Sequence, residues 1–377
     1  MRKFITGITL VLLAVSFTSC GGSTSAKNEG AGEKAAAHTI NVATSGDAAL
    51  VNPLIQLAEE KGYYKDYGLS IKYSKLGNPG AEMYDALSVG KVEAAFAQAV
   101  PPISYGAQGF DVTLIGGVLS GGMFAVTRPE NYDELKDIKN WAGHSVGVIQ
   151  MSTSELTTRN AFKHDYGIDP DKDIKYVMIE DYPSISLSVQ KGNVDVGFIG
   201  NTYVDSALDQ GLKVVTELYD IKKDYVCCRQ SAYSQKLKED REAYVLYLAG
   251  QIKAYKDINT QKDETKKYLS KATGETEQYI EDYIYDVEKS GHRTYNPDPN
   301  YNGIQGLYEI MLEQKYVESD LTLDKFTDLS VYADALKKVI AENPNDSFYT
   351  DMRDYFKENN NEYPDFDNIY GDSFWNT

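Results

Sequence analysis

The chain of 377 residues contains only three cysteines, Cys20, Cys227 and Cys228. Three thiols cannot form a disulfide framework, and sequence neighbours join only through a strained small ring. Cys227 and Cys228 therefore read as small buried thiols. Histidine is equally scarce: His38, His144, His164 and His292 lie far apart, and HExxH, CxxC and EF-hand spacings are absent. No metal site and no cofactor is expected from such a set. No Ser-His-Asp or paired-carboxylate spacing marks a catalytic centre either. Positive charge is in deficit, with 38 Lys and Arg against 56 Asp and Glu and a net charge of −18. Nucleic acid and anionic bilayer surfaces are thereby disfavoured as partners. Beyond Cys20 no apolar run is long enough to cross a membrane.

The first residues differ from the rest. Met1-Arg2-Lys3 is basic, residues 4–15 are mostly apolar, and Phe17-Thr18-Ser19 leads into Cys20. The apolar stretch has signal-peptide length. Small residues before one cysteine resemble a bacterial lipoprotein box, which implies cleavage before Cys20 and a diacylglycerol on its sulfur. Residues 1–19 are then the signal peptide. Residues 20–39, opening with Gly21-Gly22-Ser23-Thr24-Ser25, are a flexible tether. An ordinary secretory signal with an incidental cysteine is the rival reading. Either way the mature chain is expected outside the cytoplasm, and on the first reading it is lipid-anchored at the cell surface or in the periplasm.

What the chain does have is an internal echo. Gly90-Lys91-Val92-Glu93-Ala94-Ala95-Phe96 returns as Gly192-Asn193-Val194-Asp195-Val196-Gly197-Phe198, an offset of 102 residues. Tyr67-Gly68-Leu69 matches Tyr166-Gly167-Ile168, and Ile71-Lys72-Tyr73 matches Ile174-Lys175-Tyr176. A period near one hundred is too long for a solenoid and suits a duplicated lobe. Two lobes leave a cleft, a usual place for a small ligand.

Each lobe alternates strand and helix. Strands are predicted over 40–44, 69–73 and 92–97, then over 146–149, 175–179 and 194–199. That alternation predicts parallel α/β sheets. Residues 121–127 and 225–229 are the candidate strands that cross out of the first lobe and back. Lobe one is thus expected at 40–126 and 227–345, and lobe two at 127–226. Ser152-Thr153-Ser154-Glu155 is a capping box. Helical stripes at Tyr279, Ile280, Tyr283, Ile284, Val287 and at Ile304, Leu307, Tyr308, Met311, Leu312 are expected to pack on lobe one. The tail at 346–377 has no assigned role.

Several of these residues resemble a known family. Ala58-Glu59-Glu60-Lys61-Gly62-Tyr63-Tyr64, Leu87-Ser88-Val89-Gly90-Lys91-Val92-Glu93, Asp133-Glu134-Leu135-Lys136 and Cys227-Cys228-Arg229 are similar to substrate-binding proteins of ABC importers. The group is that of nitrate, sulfonate and taurine, with binders of thiamine-pyrimidine precursors. The segment 137–144 departs from its usual pattern. The resemblance implies a two-lobe periplasmic-binding-protein fold of type II, with two crossover hinge strands and a helical C-terminal extension. It implies a monomer that captures a small anionic or planar solute and hands it to an ABC permease and its ATPase. It also brings in two alternatives, an enzyme like the fungal thiamine-pyrimidine synthase and a ligand-sensing receptor partner. The synthase uses a longer cysteine-rich run than Cys227-Cys228.

Ligands in open α/β sheets lie beyond the carboxyl ends of strands. The loops there carry Ser45 and Gly46; Gln98 and Ala99; Met151, Ser152 and Thr153; Asn201, Thr202 and Tyr203. Asn78 precedes a further helix. Free amides at helix starts suit oxyanions, and Tyr105, Phe124, Tyr182 and Tyr203 are available for stacking on a flat ligand. Arg229 is the candidate partner for a ligand anion. A local capping or packing role is the alternative for each.

Overall fold

The computed structural model describes residues 36–44, 48–76, 80–223 and 225–376. The expected signal peptide, Cys20, most of the expected tether, Ser45, Gly46 and Asn78 lie outside the described residues. The strands are β1 (His38–Thr44), β2 (Leu69–Lys75), β3 (Ala94–Gln98), β4 (Val112–Ser120), β5 (Met123–Thr127), β6 (Ser145–Val148), β7 (Lys175–Met178), β8 (Val196–Gly200), β9 (Lys213–Glu217), β10 (Val226–Tyr233) and β11 (Thr294–Tyr295). They form two sheets, in the orders β11-β4-β10-β3-β1-β2 and β7-β6-β8-β5-β9. β1 runs parallel to β2 and β3, and β6 parallel to β7 and β8. In each sheet the strand that arrives from the other lobe inserts antiparallel, β10 beside β3 and β5 beside β8. This is the two-lobed α/β architecture expected from the sequence.

The sequence echo has a structural cause. Gly90 and Gly192 have φ of +73° and +76° and stop the helices Ala81–Ser88 and Tyr182–Gln190. Left-handed backbone there favours glycine. Three residues on, the Glu93 carboxylate accepts the Asn41 backbone N–H at 2.8 Å. Asp195 does the same for Ser145 at 3.0 Å. Val92 and Val194 are buried between glycine and acid. The motif therefore ties the end of a helix to the start of the first strand in each lobe.

The chain changes sheets at Gly121-Gly122, upstream of the expected boundary at 126/127. All five residues of β5 pair within the second sheet, Met123 with Gly200 through Thr127 with Val196. The reason is backbone conformation: Gly121 and Gly122 have φ of +77° and +85° and break the apolar run in two. The return crossing precedes Val226, and β10 then runs through Arg229 to Tyr233 in the first sheet.

Helices after β10 cover the first sheet. Arg241–Thr260 is buried along most of its length and packs on the helices Pro53–Glu60 and Leu329–Glu342. In the two expected stripes, Ile280, Tyr283, Ile284, Ile304, Leu307, Tyr308 and Met311 are buried, whereas Val287 and Leu312 are exposed. A wide helical turn at Glu281–Tyr285 shifts the phase before Val287. The segment also reaches the second lobe: the helix Tyr301–Glu313 packs on Thr153–Ala161. The tail folds as helices Ser347–Asn359, Phe366–Tyr370 and Asp372–Trp375. Buried Phe356 meets the rings of Phe366, Tyr370 and Trp375.

Candidate functional site

The carboxyl end of β3 meets the helix starts of the second lobe. Gln98, the last residue of β3, accepts the Thr153 backbone N–H at 2.7 Å and donates to the Tyr182 hydroxyl at 3.3 Å. Thr153 opens the helix Thr153–Ala161 and Tyr182 opens Tyr182–Gln190. The Thr153 hydroxyl donates to the Cys227 carbonyl at 3.3 Å, and the Ala99 N–H donates to the same oxygen at 2.7 Å. The Tyr182 and Tyr203 rings pack at a tilt of 47° with centroids 5.3 Å apart. Gln98, Ala99, Thr153, Tyr182 and Tyr203 are thus drawn together between the sheets, in direct contact across the lobes.

Cys227 and Cys228 border this contact with their sulfurs 3.5 Å apart. The hydrogen bond between them holds the Cys227 thiol below its ordinary pKa, and the same bond together with burial pushes Cys228 well up. Burial raises the Tyr182 hydroxyl far above the usual phenol range.

Asn201 lies deeper, buried at the start of the turn Asn201–Tyr203. Its amide donates to the carbonyls of Ser290 at 3.3 Å and Tyr283 at 3.4 Å, and its carbonyl accepts from Arg293. Arg293 precedes β11, donates to the Tyr295 hydroxyl at 3.1 Å, and lies 4.2 Å from the Tyr283 ring centroid. Arg293, Tyr225, Tyr219, His292, Ser290 and Gly121 line a cavity of about 330 Å³. Sequence reasoning missed Arg293, because it lies between two helical stripes and belongs to no periodic pattern. The glycine pair at 121–122 was the available signal: a Cβ on Gly122 would lie 2.6 Å from Arg293 Nε.

Other candidates are placed differently. Ser152 caps its helix, its hydroxyl accepting the Glu155 N–H at 3.2 Å. Glu155 does not complete the capping box: its carboxylate meets Arg159 at 3.1 Å, and burial raises its pKa. The Met151 N–H donates to the Tyr316 hydroxyl at 2.7 Å, with Met151 at φ +60°. Thr202 is half-buried in its turn. Arg229 is buried and donates to the backbone carbonyls of Cys228 at 2.7 Å and Leu119 at 3.4 Å. Tyr105 lies away from the cleft, bonded to Asp85 at 2.5 Å. Phe124 packs into the core of the second lobe.

Residues 53–237 match the family model described as NMT1/THI5 like. The matched segment is similar to that family. It contains both crossovers, both copies of the echo and the contact between Gln98 and Thr153. A 4-amino-5-hydroxymethyl-2-methylpyrimidine phosphate synthase from Candida albicans is 27% identical over 171 residues, 44% of this chain and 48% of the fungal protein. The match thus spans about half the length of that relative. Among solved structures, the periplasmic aliphatic sulphonate binding protein SsuA from Escherichia coli has a TM-score of 0.61 at 18% identity, covering 76% of this chain and 91% of its own. The periplasmic nitrate-binding protein NrtA from Synechocystis has a TM-score of 0.65 at 15% identity, covering 82% and 91%. The fold is that of periplasmic binding proteins.

Proposed function

We propose that the chain is an extracytoplasmic, lipid-anchored solute-binding protein that delivers a small anionic or planar metabolite to an ABC importer. The observation that carries this reading is the meeting of Gln98 with Thr153 and Tyr182 across two lobes joined by two crossovers. Groups at strand ends and helix starts converge there, and a solute inserted between them would touch both lobes only when they are shut. The sulphonate and nitrate binders with this fold support capture followed by release without chemistry. We take the ligand contacts to come from Gln98, Ala99, Thr153, Tyr182, Asn201 and Tyr203.

The second reading is a pyrimidine-synthase-like enzyme. It is favoured by the fungal relative and by the paired thiols of Cys227 and Cys228 beside the cleft. A thermal-shift screen of the purified chain over sulfonates, nitrate, bicarbonate and pyrimidines separates the two. A solute that raises the melting temperature and is recovered unchanged by mass spectrometry fits a binding protein. A bound compound recovered in converted form would falsify that role.

A further inference from the structure

We propose that Arg293 anchors an oxyanion head group (carboxylate, sulfonate, nitrate or phosphate) in the cavity beside the first crossover. This rests on the solute-binding reading and names the chemistry of its ligand. Three observations converge on that cavity. The Arg293 guanidinium has no carboxylate partner in any ion pair among the described residues, and its Nε–H has no hydrogen-bond partner. Tyr225, only 7% exposed, also lines the cavity, and its hydroxyl is buried without a partner. The cavity, about 330 Å³, has room for a small metabolite.

A buried donor left unpaired costs roughly 1–3 kcal/mol, and more when it is charged. Two such groups, on residues that line one cavity, mark it as a candidate binding site. The present neighbours offset the cation only in part. The Tyr283 and Tyr295 rings face it at 4.2 and 5.9 Å, and the Asn201 carbonyl is a neutral acceptor. Glu217, the acid on the neighbouring His292, is taken by that imidazole at 2.7 Å. An oxyanion supplies what is missing, because its several acceptor oxygens can take the guanidinium and the hydroxyl together. A neutral or cationic head group would leave the charge uncompensated.

The position also couples binding to closure. Arg293 is fixed to the first sheet through β11, which pairs with β4, while its guanidinium bonds Asn201 of the second lobe. Gly122 is what makes room for it, because a Cβ there would collide with the guanidinium. An anion on Arg293 would therefore be held where the lobes and the crossover meet.

The test is isothermal titration of the full chain with nitrate, methanesulfonate, 4-amino-5-hydroxymethyl-2-methylpyrimidine and the phosphate ester of that pyrimidine. The wild type is expected to bind at least one of the anionic probes. Arg293→Gln should weaken that probe at least 100-fold, Arg293→Lys less, and Tyr225→Phe about tenfold. Without ligand, the melting temperatures of Arg293→Lys and Tyr225→Phe should stay close to wild type, which separates lost binding from lost folding. If a probe binds equally well to Arg293→Gln, or the uncharged pyrimidine alone binds, the anchor is wrong while solute binding stands. If no probe binds, the anchor and the solute-binding reading fall together.

Discussion

At the scale of single residues, buried polar groups tell most about this chain. Asp298 is buried, with one carboxylate oxygen accepting from Asn360 at 3.0 Å and from the Asn300 N–H at 2.8 Å. Its other oxygen has no partner. Burial pushes its pKa up to about 6 from 3.8, against the opposing pull of those donors and of Arg229. A carboxyl raised in the folded state holds its proton more tightly there than in the unfolded chain. Its contribution is therefore most favourable below pH 3.8, declines as pH rises towards 6, and is flat above that. The span amounts to about 3 kcal/mol. Asp298→Asn should remove this dependence, so its stability relative to wild type should improve between pH 4 and pH 7 in urea titrations. Parallel pH profiles for the two proteins would contradict the assignment.

The echo residues show how far a residue pattern can be read. Gly90 with Glu93 and Gly192 with Asp195 disclosed the duplication because their job is local: one glycine ends a helix, and one acid binds a strand N–H. Arg293 had no comparable mark. Its environment is assembled from Asn201, Tyr283 and Gly122, which lie far away in sequence.

At the scale of elements, the segment from Glu277 to Tyr316 does more than cover the first sheet. At its far end Glu313 bonds Lys163 at 2.8 Å and His164 at 3.1 Å, and Tyr316 holds the Met151 N–H. These contacts strap the second lobe to the C-terminal helices. The charged partners are nearly half exposed, so solvent screening leaves each pair a small contribution. That is small for folding yet relevant to a hinge balanced within a few kcal/mol. Glu313→Gln should leave the melting temperature nearly unchanged while lengthening the mean inter-lobe distance of the ligand-free protein, read by paired fluorophores. An unchanged distance distribution would remove the strap. Lys163 and His164 hold the Glu313 carboxylate below its ordinary 4.5. The strap contact is accordingly complete above that pH and is lost as pH falls through the lowered value.

Parallel strands were legible as elements because apolar runs and glycine turns are local signals. The crossover was displaced because periodicity cannot show that Gly121 and Gly122 turn left-handed within a continuous apolar run. Likewise the wide turn at Glu281–Tyr285 put Val287 in solvent, although the helical period placed it in the stripe.

For the whole molecule, net charge bears on the proposed lipid anchor. A chain with a net charge of −18 is repelled by an anionic membrane surface. If it stays at the membrane, a covalent lipid on Cys20 is the means. Cys20→Ser should release the protein into the soluble fraction, and persistent lipid labelling of that variant would contradict the proposal.

The sequence by itself determined the duplicated α/β halves, the order of their strands and the loops at the strand ends, because each depends on neighbours a few residues apart. Only the tertiary structure decided where the chain changes sheets, how the C-terminal segment straps the second lobe, and that the buried guanidinium of Arg293 lacks a carboxylate partner among the described residues. Those depend on distant groups meeting in one place, and the desolvation that makes Arg293 informative exists only after the lobes have closed around it.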